Sequence, residues 1–165
     1  MKDQPFPKYE FTQIGDPESP VEGTLTLPYE RRQKRRQRIV LDQGIEAALI
    51  LEHSERPAVG SVLQTAEGYC VRVIAALEDI SMVVADDAWA LARASYHLGN
   101  RHVAVQINSS SISFERDHVL DEMIRGLGLT VVHELATFEP ETGAYAKQQH
   151  SHHGDDHTPT HSRHE

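Results

Sequence analysis

Residues 80–107 read ISMVVADDAWALARASYHLGNRHVAVQI, and residues 111–135 read SISFERDHVLDEMIRGLGLTVVHEL. Ile80–Ala85 is a β-rich run. Asp86 or Asp87 can then cap a helix whose apolar positions Trp89, Leu91, Ala92, Tyr96 and Leu98 recur at helical spacing, ended by Gly99-Asn100. His102–Ile107 alternates, Ser109-Ser110 turns, and Ser111–Phe114 alternates again. Asp117 caps a second helix carrying Val119, Leu120, Met123, Ile124 and Leu127, stopped at Gly126–Gly128, and Leu129–Leu135 is a final strand. The order β-α-β-β-α-β is that of a ferredoxin-like domain.

Upstream the pattern is different. Pro5, Pro7, Pro17 and Pro20 make residues 1–20 an irregular lead-in, with at most a short strand around Tyr9–Ile14. Short alternating runs follow at Thr24–Leu27, Arg38–Leu41, Ala47–Leu51, Ser61–Gln64 and Tyr69–Ala75. Asp42-Gln43-Gly44 and Ala66-Glu67-Gly68 have the look of hairpin turns. The expected class is therefore α+β: a small all-β domain without helix over 1–77, a ferredoxin-like domain over 78–146, and a tail over 147–165.

The tail is a ligand array. His150, His152, His153, His157, His161 and His164 sit among Ser, Gly, Asp and Thr, with no apolar residue to give them a core. So polar a segment cannot offset the entropy of ordering itself, which predicts disorder. Neutral imidazoles on such a strip suit nickel, zinc or copper. A cloning tag would more often be an unbroken run of histidines; here other residues separate most of them.

Composition narrows the chemistry. The single cysteine, Cys70, excludes a disulfide framework and any multi-thiolate site within one chain, so metal must be held by His and carboxylate. The net charge of −9 falls mostly on residues 78–165, with six Lys/Arg against fourteen Asp/Glu. An acidic, His-rich half attracts cations and argues against nucleic acid. No window reaches the ~18 apolar residues of a membrane span, and residues 1–5 carry no signal-peptide hydrophobic region, so the expected compartment is the cytoplasm.

Two histidines stand out in the second domain. If His102 opens a strand, alternation puts Val103, Val105 and Ile107 under the helices and turns His102, Ala104 and Gln106 to the opposite face, open to solvent or a partner subunit. His118 follows the helix cap and would lie near the start of that strand, beside Glu115 and Asp117. Two imidazoles from one chain do not complete a tight site; a twofold dimer would double them. A solvated surface histidine is the plain alternative. His97 suits a helix C-terminus, His53 and His133 suit structural or solvent positions, and Cys70 suits a small core hydrophobe.

Arg31, Arg32, Lys34, Arg35, Arg36 and Arg38 put six positive charges in eight residues. Without interleaved aromatics, and in a half of net charge −1, they fit a charge-guarded edge strand or a docking patch for an acidic protein better than a nucleic-acid site. No Ser–His–Asp arrangement, phosphate-binding loop or dinucleotide fingerprint appears. A metallohydrolase with His102, His118 and Asp117 or Glu115 lacks the dense helical ligand motif such enzymes carry, so an enzyme is not expected.

The string from Tyr96 to Val103, the string Asp117-His118-Val119-Leu120-Asp121, and Phe138-Glu139-Pro140-Glu141-Thr142-Gly143-Ala144-Tyr145 before a His-rich tail resemble the UreE family of urease accessory proteins. The resemblance spans roughly residues 20–165. It implies a β-rich N-terminal domain for partner binding, a ferredoxin-like metal-binding domain, and a homodimer with nickel at its interface. His102 then corresponds to the ligand supplied by both subunits, and His118 to an accessory ligand. Some members carry a further His two residues before the latter, where this chain has Arg116, which cannot ligate.

The expected function is a metallochaperone delivering Ni(II) to the urease apoprotein complex, in concert with that system's accessory GTPase; Zn(II) or Cu(II) could bind in vitro. The alternative is a general store or buffer for divalent metal acting through the tail alone. An incomplete, flexible ligand shell permits ligand-by-ligand transfer, and binding should weaken as pH falls below the reference histidine value of about 6.5.

Overall fold

The computed structural model describes residues 7–85 and 87–142. The six tail histidines therefore lie outside the described residues, as do residues 1–6 and Asp86.

The N-terminal domain is one mixed sheet with a helical turn. Its strands are β1 (Tyr9–Ile14), β2 (Gly23–Leu27), β3 (Arg36–Val40), β4 (Glu46–Ile50), β5 (Val62–Thr65) and β6 (Cys70–Ala75), in the order β2-β6-β5-β1-β4-β3. The two Gly-ended turns close the antiparallel pairs β3–β4 and β5–β6, with Gly44 at φ 80° and Gly68 at φ 90°. β1 and β4 are parallel, as are β2 and β6.

One expectation is exceeded here and one fails. The short strand allowed at Tyr9–Ile14 forms with those bounds, and as an interior strand of the sheet; Phe11 is fully buried among Leu25, Leu49, Leu63 and Val73. The flanking prolines lie outside the strand and leave its ladder intact. The domain also contains α1 (Tyr29–Arg32), a single turn that follows Pro28, whose carbonyl accepts from the Arg31 and Arg32 amides. Asp42 draws the two ends of the sheet together by accepting hydrogen bonds from the Thr24 and Thr26 hydroxyls on β2.

The C-terminal domain contains β7 (Leu77–Val84), α2 (Ala88–Gly99), β8 (Gln106–Ile107), β9 (Ser111–Glu115), α3 (His118–Gly126) and β10 (Thr130–Thr137). Its antiparallel sheet runs β10-β7-β9-β8. Asp87 caps α2 by accepting from the Trp89 amide, and Asp117 caps α3 by accepting from Val119 and Leu120. Both helices pack on one face, where Val83, Ala94, Leu98, Ile112, Phe114 and Ile124 form the core.

The opposite face is not bare. After β10 the chain crosses it as a strap: Phe138 is buried, the Glu139 amide donates to Gln106 Oε1 at 2.8 Å, and the Glu141 amide donates to the Val105 carbonyl at 2.9 Å. Ile80 and Ser113, which alternation assigns to that face, are buried too.

The two domains meet at Arg32, which is 6% exposed. Its guanidinium donates to the Phe138 carbonyl, lies 4.0 Å from Glu78, and sits over the Tyr29 ring. The Tyr29 amide donates to Glu78 Oε1, and the Tyr29 ring meets Phe138 edge-on. Arg32, expected among the docking cations, is thus a strut between the N-terminal domain and the strap.

Candidate metal centre

The strand expected over 102–107 shrinks to Gln106–Ile107, and His102 sits in the turn that ends α2. The backbone explains this. The His102 amide donates to the Gly99 carbonyl at 2.9 Å and the Val103 amide to the Leu98 carbonyl at 3.4 Å. This pair of bonds closes a helix when the residue after the last helical turn adopts a left-handed conformation, and His102 does so at φ 56°. Val103 then packs with Leu98 in the core. The alternation of Val103, Val105 and Ile107 came from core packing at the first two positions. Ile107, at the sheet's edge, is 52% exposed.

α3 ends in the same way. Gly128 donates to the Arg125 carbonyl, Leu129 donates to Ile124, and Gly128 has φ 85°. Glycine adopts this conformation freely, whereas an L side chain pays about 1 kcal/mol or more. His102 is the only non-glycine with positive φ among the described residues, and it is exposed.

His118 is the first residue of α3 and is also exposed. Between the segment that follows α2 and the start of α3 lies a cavity of about 370 Å³, lined by Val103 and Ala104 on one side and by Glu115, Arg116, Asp117 and Leu120 on the other. The fold thus brings the chain neighbours of both histidines to one gap. Among the described residues, however, no three of His, Cys, Asp and Glu are close enough to hold an ion.

Comparison with known proteins bears on what such a site is for. The family model of the UreE urease accessory protein C-terminal domain matches residues 78–164, and that of its N-terminal domain matches residues 10–76. The urease accessory protein UreE of Alkalilimnicola ehrlichii is 54% identical over 127 residues, covering 77% of this chain and 78% of the relative. Those of Pseudomonas putida strain GB-1 and Citrobacter koseri are 50% and 46% identical, covering 84% and 81% of this chain and 86% and 88% of theirs. The chain belongs to the UreE family. A UreE protein is an accessory factor in urease maturation and not an enzyme.

The other charged residues of this UreE family member fall into distinct environments. Arg31, on α1, reaches over to β3, bonding Gln37 and the Arg38 carbonyl. Lys34 pairs with Glu30 at 2.6 Å in solvent, and Arg36 and Arg38 lie on β3, an edge strand of the N-terminal sheet. Arg35 lies between α1 and β3 and is partly buried. Cys70 is buried, and burial together with the nearby Glu22 charge pushes its thiol up, away from the thiolate that metal would need.

One cluster escaped the sequence reading. His133 Nε2 on β10 lies 2.6 Å from Asp121 Oδ2 on α3, and Arg125 stands 3.8 Å away. Burial works to raise the Asp121 carboxyl, but the Ser81 hydroxyl, His133 and Arg125 outweigh it and hold it below the ordinary aspartate value. Asp121 lies one turn after His118 on the buried side of α3, and its partner comes from the strand that follows.

Proposed function

We propose that this chain is a nickel metallochaperone, carrying Ni(II) as cargo to the urease apoprotein during assembly of its active site. It acts as a cytoplasmic homodimer in which His102 of each protomer supplies a ligand at the twofold axis. The observation that carries this reading is the left-handed backbone of His102, set beside Gly128 in the equivalent turn of α3. A fold closing a helix would take glycine there; an exposed histidine held against that preference points to use of the imidazole.

One imidazole leaves most of a nickel shell open. The partner's copy of the same residue, His118 across the cavity, tail imidazoles and water can fill it, and an incomplete shell favours release on contact with a recipient. The exposed Tyr96, six residues before His102 on α2, gives that end of the domain apolar surface suited to a second copy. The sheet order and one-sided helices support a ferredoxin-like assignment for residues 78–146.

The strap supports a feeding role for the tail. It fastens at Val105, three residues from His102. His150 follows Thr142 by eight residues, a length that reaches up to about 27 Å. His150, His152 and His153 can therefore raise the local ligand concentration at the core site, with His157, His161 and His164 as reservoir. Arg31, Lys34, Arg35, Arg36 and Arg38 remain the proposed contact for the urease complex or its accessory GTPase, with Arg32 reserved for the domain joint.

Nickel titration of the intact chain, a truncation after Tyr145, and His102→Ala tests this. Loss of the tightest binding in His102→Ala, with retention in the truncated form, is expected. Loss on truncation alone would instead mean a metal store acting through the tail. Urease activation at limiting nickel, with and without the protein, tests delivery.

A further inference from the structure

His102 and His118 each have an arginine close before them in the chain, and the two arginines are treated differently. Arg116, two residues before His118, has Nη1 2.9 Å from Asp79 Oδ2 and so is paired with a carboxylate. Arg101, immediately before His102, donates its Nε–H to Met123 Sδ at 3.1 Å. A thioether directs a guanidinium but carries no charge to oppose it. Among the described residues no carboxylate pairs with Arg101.

We infer that Arg101 sets the nickel affinity of the His102 site, acting as a fixed positive charge that holds the affinity down and favours release. This rests on the reading that His102 binds nickel. A guanidinium is charged at every pH the protein meets, so the effect is constant rather than switched. The Met123 contact turns the guanidinium toward α3. In a twofold dimer both copies contribute, since each ligand brings its own arginine.

The magnitude follows from Coulomb's law. A single charge facing a dication at roughly 10 Å in water is worth a change of about three- to tenfold in affinity, more if solvent is partly excluded. Screening should remove it, because the Debye length falls from about 30 Å at 0.01 M salt to about 3 Å at 1 M.

The test is nickel affinity of the full-length protein with Arg101→Gln, Arg101→Ala and Arg101→Lys, each alone and combined with His102→Ala, at both salt concentrations. The expected result is about three- to tenfold tighter binding for the two neutral variants at low salt, no gain at high salt, and near-native affinity for Arg101→Lys. The gain should vanish when His102 is absent. Unchanged or weaker binding in both neutral variants, a gain equal in Arg101→Lys, or a gain indifferent to salt overturns the inference. If His102→Ala by itself leaves nickel binding intact, the His102 reading falls and takes this inference with it; a loss there without an Arg101 effect sinks the Arg101 inference alone.

Discussion

His102 at the end of α2 and Gly128 at the end of α3 occupy the same position in the same turn, each in a left-handed conformation and each followed by an apolar residue bonded back to the last helical turn. One position has the residue the backbone prefers. The other has a residue that metal chemistry can use.

His102→Gly should therefore separate stability from function. It should stabilise the chain by about 0.5–1 kcal/mol by relieving the left-handed side chain, while abolishing nickel binding at the core site. Urea unfolding and nickel titration on the same preparation check both halves. A destabilised variant would mean that the imidazole supports the fold.

Gly128→Ala is the converse. A Cβ at that position meets nothing within 4 Å, so any loss comes from the backbone alone. The expected destabilisation is about 1–2 kcal/mol, read from the urea midpoint at constant slope.

Asp121 gives a pH signature. Its carboxyl titrates below the ordinary aspartate value in the folded protein. A depressed acid contributes stability that is fully present above its unfolded value of about 3.9 and is lost as pH falls through the folded value. The stability gap between the native chain and Asp121→Asn should thus be widest near neutrality and narrow below about pH 4. Unfolding measured at pH 7, 5 and 3 gives the profile; a gap independent of pH would remove charge from the account of this residue.

Arg32→Ala should uncouple the domains. It leaves the Phe138 carbonyl without its donor and Glu78 without its nearest cation, at about 1–3 kcal/mol. Calorimetry should show one transition splitting towards two, because the two hydrophobic cores are separate clusters. A single transition merely shifted in temperature would mean that other contacts suffice to couple them.

Much of the C-terminal domain was legible because its signals are local. Asp87 and Asp117 cap their helices through amides two or three residues away; in the N-terminal domain Gly44 and Gly68 likewise close hairpins within their own turns. What local patterns do not disclose has the opposite property. Tyr9–Ile14 owes its interior place to pairing with strands at Glu46–Ile50 and Val62–Thr65, which no local pattern announces. Val103 and Val105 alternate as strand residues do and so suggest a strand opening at His102, yet the preceding helix claims the amides of His102 and Val103. Arg32 resembles its five neighbouring cations in sequence and differs from them through contacts far along the chain, above all a carbonyl 106 residues downstream. Asp121 is buried for the same reason, its partner lying on another element.

That separation also has a meaning in time. At synthesis rates of about 5–20 residues per second, the carbonyl that Arg32 awaits is made roughly 5–20 s after the arginine itself. The N-terminal sheet has all its strands by Ala75 and can close on its own core long before then. The joint therefore cannot close until Phe138 has been made. A nascent chain spends seconds as a finished first domain with an unsealed seam, and the acidic segments emerging behind it are the nearest alternative partners for the exposed guanidinium.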